Sequence, residues 1–421
     1  MTIANMINKK VVICVQSAKG TIAPTDTATA QYLRFNNFSQ DHTNETYQSD
    51  EMATHRQVAD VNIGPQDGSG SCSGELTPGT FELFEAAVLR KDFVAGSSDS
   101  ANESLISGDV SGAAGTFTRD DSEGSWITDG FKVGDVVQQT GWLVTTTDAT
   151  ANNDHNFLIT ALTATVMTVI AVDGVAIVAK DESSAITTTV VGQKTWTPAA
   201  SHLEEWFTIE HLYTDVELSE TFWDCKPISM SIKAPATGIP SVGFNVLGLQ
   251  MTAQGSAASP YFTSVVAALT TEVTHSGKAL ILIQGTEQTL ATGIDVEIVG
   301  NNVIGSAVMG TNVKSGIYDK RVEVKGTFKL LYEDDTISAL YRAGTEVSIS
   351  CVLPVSDDAD AEFMAFNIAR AKIVSGPKEG DNEIAQSFGF IGIYDSTGDD
   401  GTTTTTDSLL TTMSLQDSSL S

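Results

Sequence analysis

Apolar and polar positions alternate with a period of two over much of the chain. Ile228-Ser229-Met230-Ser231-Ile232 places three apolar side chains on one face and two hydroxyls on the other, the pattern of a half-buried strand. The same alternation runs through Val242-Gly243-Phe244-Asn245-Val246-Leu247, through Val322-Glu323-Val324-Lys325-Gly326-Thr327-Phe328-Lys329-Leu330, and through Val347-Ser348-Ile349-Ser350-Cys351-Val352-Leu353. The turn cluster Ala236-Thr237-Gly238-Ile239-Pro240 makes a hairpin of the strands that flank it. A 3.6-residue period is confined to short stretches. One helix is predicted over residues 80–90, with Thr77 as N-cap, Pro78 in its first turn, and Phe81, Phe84 and Val88 as one apolar stripe. A second is predicted from Asp334 or Asp335 to Arg342, with Ile337, Leu340 and Tyr341 on one face, and a third over residues 261–269. The most apolar stretch, residues 157–179, is interrupted by Thr160, Thr163, Thr165 and Thr168. It is predicted to be two strands joined at Val172-Asp173-Gly174, and no membrane span is expected.

These elements arrange themselves as a repeat with an insertion. Strands at residues 58–63 and 71–76 lead into the first helix, and a strand at 322–331 leads into the second. Each final strand carries a central glycine, Gly74 or Gly326. Between the halves, residues 107–195 are bounded by Gly/Ser/Ala-rich stretches at 95–115 and 183–192. Within them, Asp129-Gly130-Phe131-Lys132-Val133-Gly134-Asp135-Val136-Val137 sets two turn glycines among alternating apolar residues. This segment is predicted to be a small separate β module, a barrel or sandwich. The end of the chain is low in complexity, with Gly398-Asp399-Asp400-Gly401 followed by five threonines. Residues 396–421 are expected to form a flexible C-terminal arm, in which Leu409, Leu410 and Met413 are the docking candidates.

Length and charge narrow the function. A chain of 421 residues is long for one core and points to two or three packed units. Lys plus Arg total 23 against 53 Asp plus Glu, a formal charge of −30. Such a surface repels nucleic-acid phosphate and anionic lipid rather than condensing on them. Cys14, Cys72, Cys225 and Cys351 lie far apart with no C-x-x-C pair, as expected of buried free thiols in a reducing compartment. No secretory signal is read at the start. His42, His55, His155, His202, His211 and His275 show no metal-ligand spacing, and no phosphate loop or nucleophile elbow occurs. The carboxylate clusters Asp120-Asp121 with Glu123, Asp357-Asp358 with Asp360, and Asp399-Asp400 fit no calcium-loop spacing and read as solvated loops. No catalytic, metal or cofactor site is predicted, and the chain is read as a non-enzyme.

One set of segments resembles a known family. Tyr47-Gln48-Ser49-Asp50-Glu51 leads through His55-Arg56 and residues 58–63 to Gly70-Ser71-Cys72-Ser73-Gly74-Glu75-Leu76-Thr77-Pro78 and residues 81–89. This order resembles the opening of tail tube proteins from long-tailed, siphovirus-like bacteriophages. Phe207-Thr208-Ile209-Glu210-His211, followed by Thr221-Phe222-Trp223-Asp224-Cys225-Lys226-Pro227-Ile228, is similar to that family's aromatic-and-cysteine entry into a strand. The family often has glycine before that cysteine, where this chain has Asp224. The resemblance implies a mainly β fold: two tail-tube-type β-sandwich or split-barrel repeats, each with a short flanking helix, plus the inserted β module. The repeats would be residues 1–106 with 196–277, and 278–395.

The resemblance also implies a structural virion protein, the major tail tube subunit, whose stacked rings enclose the channel for DNA ejection. Its partners would be copies of itself and the tail tip, tape-measure and terminator proteins. Genomic DNA would pass through the lumen without specific binding. It would assemble in the host cytoplasm and reside in the virion tail. With two repeats per chain, a trimeric ring with pseudo-sixfold symmetry is favoured and a hexamer is the alternative. Residues 35–54 are read as a long loop carrying the contact between rings, through Asp41, Glu45, Asp50 and Glu51 facing cations of the neighbour. The insert is expected to face outward and to be dispensable for assembly. Two rival readings are another phage virion β protein, such as a minor tail, decoration or adhesin subunit, and a carbohydrate-active enzyme with a paired-carboxylate cleft.

Overall fold

The structure is a computed structural model that describes residues 3–52, 54–55, 57–111, 113–119, 124–142, 152–255, 259–380, 383–396, 398 and 407–420, with the backbone alone at 100–111 and 180–185. It is mainly antiparallel β, with two α-helices among the described residues: α1, Glu82–Leu89, and α2, Thr336–Ala343. The alternating segments are strands, within Leu218–Pro235, Ser241–Gly248, Glu323–Leu331 and Glu346–Pro354. Three local expectations are corrected. Thr77 does not cap α1: its hydroxyl donates to Thr80 Oγ1 at 2.7 Å, and the helix starts five residues on. Residues 261–269 are not helical. The strands Phe157–Leu162 and Val166–Ala171 turn at Thr163–Thr165, not at 172–174, because the Thr163 backbone and hydroxyl close the turn on Val166. Asp120, Asp121, Asp399, Asp400 and the five threonines lie outside the described residues.

The same pairing scheme occurs twice. In the first half, Lys9–Val15 pairs with Phe207–Tyr213, which pairs with the start of Leu218–Pro235. That long strand crosses to a second sheet, where its end pairs with Ser241–Gly248, then Val61–Glu75, then Asn37–Gln48. In the second half, Leu280–Ile283 pairs with Glu346–Pro354, and that with Phe363–Ser375, whose end pairs with Ala385–Gly392, then Glu323–Leu331, then Ala291–Val299. Even the irregularities match. Register shifts fall between Phe207/Ile209 and between Pro227/Ser229 in the first half, and between Val347/Ile349 and Ile373/Ser375 in the second. Aligned on them, Gly70 corresponds to Gly326, so the glycine match read from the sequence at Gly74 is displaced by four residues. A Cβ on Gly70 would come 2.2 Å from the Ser39 carbonyl oxygen, and one on Gly326 2.2 Å from that of Asp295, the equivalent neighbour.

Each half is thus two sheets joined by one kinked strand. In the first half the kink is at Asp224, which sits in the left-handed region (φ 53°). Asp is among the few residues besides glycine that tolerate it. Its carboxylate pins the bend by accepting from Gly20 N at 2.7 Å and Gln250 Nε2 at 2.9 Å. One core fills both sandwiches. There Phe84 of α1 packs on Phe207 and Phe244, with ring centroids 5.3 and 5.5 Å away, while Phe328 stacks on Phe388 at 5.2 Å. All four cysteines are buried and free.

The insertion is a closed barrel of six strands, from Ser98–Ser111 to Lys180–Val190. It has its own core around Phe117, Trp126, Phe131 and Phe157. It is also fused to the second half. Val136 and Leu158 pack with Leu280, Leu282, Val352, Phe363 and Ala365 in a shared apolar cluster, and buried Asp135 bonds Lys194 Nζ at 2.8 Å. The equivalent face of the first half is covered instead by loops that bring Ala23, Ala30, Tyr261 and Phe262 onto Val12 and Cys14.

The C-terminal end departs from expectation. Over 407–420 the chain is docked rather than free, and Ser414–Asp417 is a strand between Phe363–Ser375 and Gln193–Trp196. Met413 and Leu415 are buried, and Gln416 accepts from Val136 N and donates to Val136 O, both at 2.9 Å. The sequence end was polar because a strand covered on both edges uses its backbone as much as its side chains. Asp417 is held by Gly79 N and Ser419 N, yet burial pushes its carboxyl up to about 6. Glu82 and Glu85 on α1 face it. Both carboxyls are raised by burial and then by the charge of Asp417, Glu85 the further.

Two outcomes are expected. A carboxyl with a raised folded pKa holds its proton in the native state, so its stability contribution is full below the unfolded value and is lost as pH rises. Buried Glu85, whose Oε2 has no hydrogen-bond partner, is such a group. Glu85→Gln will therefore raise Tm at about pH 8, with the gain shrinking toward about pH 4; an equal gain at both pH values contradicts this. Deleting the barrel and joining Val94–Ala95 to Gln193–Trp196 will uncover the apolar face of Leu280, Leu282, Val352 and Phe363. Lower Tm and increased binding of an apolar dye are the readouts, and an unchanged Tm contradicts it.

Candidate assembly surface

The inner sheets of the two halves join edge to edge. Ser229–Pro235 runs antiparallel to Gly293–Val299 with seven residue pairs in register. The result is one continuous sheet whose strands are, in order, Asn37–Gln48, Val61–Glu75, Ser241–Gly248, Leu218–Pro235, Ala291–Val299, Glu323–Leu331, Ala385–Gly392 and Phe363–Ser375. One face of it lies on the core through Phe38, Phe244, Met230, Ile232, Val296, Phe328 and Phe390.

The opposite face is open. Along the register across it, one row is Asn37, Ser73, Gly243, Ser231, Glu297, Lys325, Ile391 and Lys372. Neighbouring rows contribute Ser39, Ser69, Ser71, Ser229, Asn245 and Thr327. Hydroxyls and amides bond one another there, as in Asn245 Nδ2 to Ser229 Oγ at 2.8 Å. The charges on this face are mixed, with Lys233, Lys325, Lys329 and Lys372 against Asp41, Glu75, Asp295, Glu297 and Glu323. Lys325 pairs with Glu297 at 3.0 Å. A small-hydroxyl face of interspersed charge gives a polyanion neither a basic stripe to condense on nor a uniform field to oppose it.

The expected contact loop at 35–54 is, over most of its length, a strand. Asn37–Gln48 pairs with Val61–Glu75 as a long hairpin. Beyond His42 and Gly68 the sheet ends, and the hairpin continues as a two-stranded ribbon for about 20 Å, taking ~3.3 Å per residue, bridged near its base at Gln66 to Val313. Such a ribbon is marginal by itself. Tyr47, Met52, Val58, Val61 and Ile63 are all at least half exposed on it, Met52 completely. The four carboxylates therefore do not form one group. Asp41 lies on the open sheet face, Glu45 on the ribbon, and Asp50 and Glu51 at its tip. Glu45 already has a cation in its own chain: Lys314 Nζ lies 3.1 Å away and also bonds Asp67. Bonds from Tyr47 and Lys314 lower the Glu45 carboxyl, and Asp67 raises the Lys314 ammonium.

Lys314 belongs to the matching arm of the second half. Residues 300–322 join Ala291–Val299 to Glu323–Leu331 where the ribbon joins the first pair, and carry a short pairing of Val303–Ile304 with Ile317–Tyr318. Asn312 O accepts from Gln66 N at 2.8 Å, tying this arm to the base of the ribbon. Its Met309 is fully exposed and Val308 half exposed. Sequence reading missed this arm and the apolar character of the ribbon. The signal was present in Tyr47, Val58 and Ile63, which lie among polar residues without a partner strand to bury them.

Among the described residues no group of three or more His, Cys, Asp or Glu side chains is placed to hold a metal. No helix of the described residues is long and apolar enough to cross a membrane. His211, in van der Waals range of Phe38 and Phe222, is pushed down to about 3 by burial. A family model described as Phage tail tube protein matches residues 7–392. No curated protein sequence matches the chain.

Proposed function

The chain belongs to the phage tail tube protein family, and on that premise we propose that three copies close each ring of the tube. As a member it is a structural virion protein, a subunit of the tail tube. The observation that carries the ring count is the doubled pairing scheme, shared bulges included. Each chain supplies two sectors of four inner strands, so three chains give six sectors. Heterologous contacts that close after a whole number of steps give rings. The open polar face would line the lumen, letting DNA pass without capture. The inserted barrel rests on the opposite side of the second half, which supports its placement on the outside of the tube.

The ribbon at residues 43–63 and the arm at 300–322 are the proposed contacts between stacked rings, made chiefly through Tyr47, Met52, Ile63 and Met309, with Asp50 and Glu51 at the rim. Tail tip, tape-measure and terminator proteins would meet the end rings, with assembly in the host cytoplasm.

A cross-section by electron cryomicroscopy will count three chains per ring; six whole chains per layer would overturn the trimer. Replacing residues 46–63 by a two-residue turn will leave folded subunits or single rings. Tubes of normal length from this variant would remove the ribbon from the stacking contact.

A further inference from the structure

The segment that enters the second half rests on the first. Residues 269–275 lead into a one-turn 3-10 helix, Ser276–Lys278, and then into Leu280–Ile283. On the way, Thr274 N and Oγ1 donate to Leu76 O at 3.0 and 2.9 Å. Thr271 Oγ1 donates to Pro78 O at 2.8 Å, and Thr271 O accepts from Arg34 Nη1 at 2.7 Å. Thr274 is fully buried there. This contact adjoins the ladder between the halves, since Ser276 and Gly277 share a cavity with Pro235 and Gly293.

The N-terminal segment is built the same way. The shared bulges equate Ile13 with Ile283, and the same cap precedes both. The Asn5 side chain accepts from Ile7 N and begins the 3-10 helix Met6–Asn8, as His275 accepts from Gly277 N and begins Ser276–Lys278. Ala4 is thus the counterpart of buried Thr274, and Ile3 that of half-buried Val273. Their surroundings differ: Ile3 is 83% exposed, Ile7 86% and Met6 57%.

The receiving site is repeated as well. Leu76 N donates to Pro240 O at 2.9 Å, and its equivalent Tyr332 N donates to Ile384 O at 2.8 Å. Leu290 holds the place of Arg34. In the first half the linker covers this site. In the second, no described group donates to Tyr332 O, and Tyr332, Leu290 and Ile384 are exposed. They stand at a groove of about 320 Å³ lined also by Ile337 and Leu340 of α2.

We propose that residues 3–7 of one chain dock in this groove of its neighbour, with Ala4 N donating to Tyr332 O and Ile3 seated on the apolar rim. This deepens the tube reading and rests on it.

Two exposed apolar surfaces support it, and exposed apolar surface marks interaction sites. In a ring of such chains, a second half meets the first half of the next chain at every subunit boundary, as a first half meets a second inside the chain. The linker's site recurs at that boundary without a covalent linker to fill it. The N-terminal segment carries the linker's cap and helix, and it arrives from the side on which the linker arrives.

The test places a photo-crosslinker in the groove. Tyr332→p-benzoylphenylalanine is assembled into tubes and irradiated, and the products are separated on a denaturing gel and mapped by mass spectrometry. Expected is a covalent ladder between chains whose linked peptide contains residues 3–7. Tubes that give no ladder, or a ladder linked elsewhere, overturn the docking and leave the tube reading standing. The second variant is Ile3→Asp with Ile7→Asp. Both side chains are exposed in the single chain, so its Tm should match wild type while the concentration needed for assembly rises about tenfold. Assembly of this variant at the wild-type concentration also overturns the docking. A wild-type chain that never forms rings overturns both readings.

Discussion

Backbone satisfaction along one sheet governs this molecule. Every strand of the inner sheet must find partners for its N–H and C=O groups on both edges, and within the chain all but the outermost two do. The seven-pair ladder between Ser229–Pro235 and Gly293–Val299 joins two otherwise complete sandwiches without a linker domain. It also sets their relative register, because a slip by one residue would turn Ile232 and Val296 from the core to the polar face. It carries the polar face unbroken from one half to the other and leaves the two outermost edges of the sheet free.

The two halves share a scheme but not a surface. Outer strands of the first half are covered by loops, with buried Glu210 accepting from Tyr261 N at 2.6 Å and Ser219 Oγ at 2.5 Å. The same strands of the second half are covered by the inserted barrel. The C-terminal strand takes the position beside Phe363–Ser375 that Gln250–Gly255 takes beside Leu218–Pro235. Distant segments have thus been recruited to cover equivalent apolar strips. The barrel, the C-terminal strand and the second half form one interlocked body rather than a module on a tether.

Local pattern determined a good deal of this. Period-two alternation placed Leu218–Pro235, Ser241–Gly248, Glu323–Leu331 and Glu346–Pro354, because a half-buried strand must segregate its two faces whatever lies beyond it. The stripe of Phe81, Phe84 and Val88 placed α1. The absence of a basic stripe argued against nucleic-acid capture before any geometry was known.

The features that local pattern left open depend on partners distant along the chain. Residues 35–54 contain too few apolar positions to announce a strand, yet pair over most of their length, because Val61–Glu75 supplies the complementary edge. The C-terminal residues look like a solvated tail, yet form a strand because two edges stand open to receive them. Glu45 resembles a surface charge in search of a neighbour, yet Lys314 lies beside it after an excursion of hundreds of residues. Composition and periodicity are local quantities and determined which segments are strands. Edge pairing is non-local, and only the tertiary structure decided which strands meet, which face stays bare, and which edges remain to be filled.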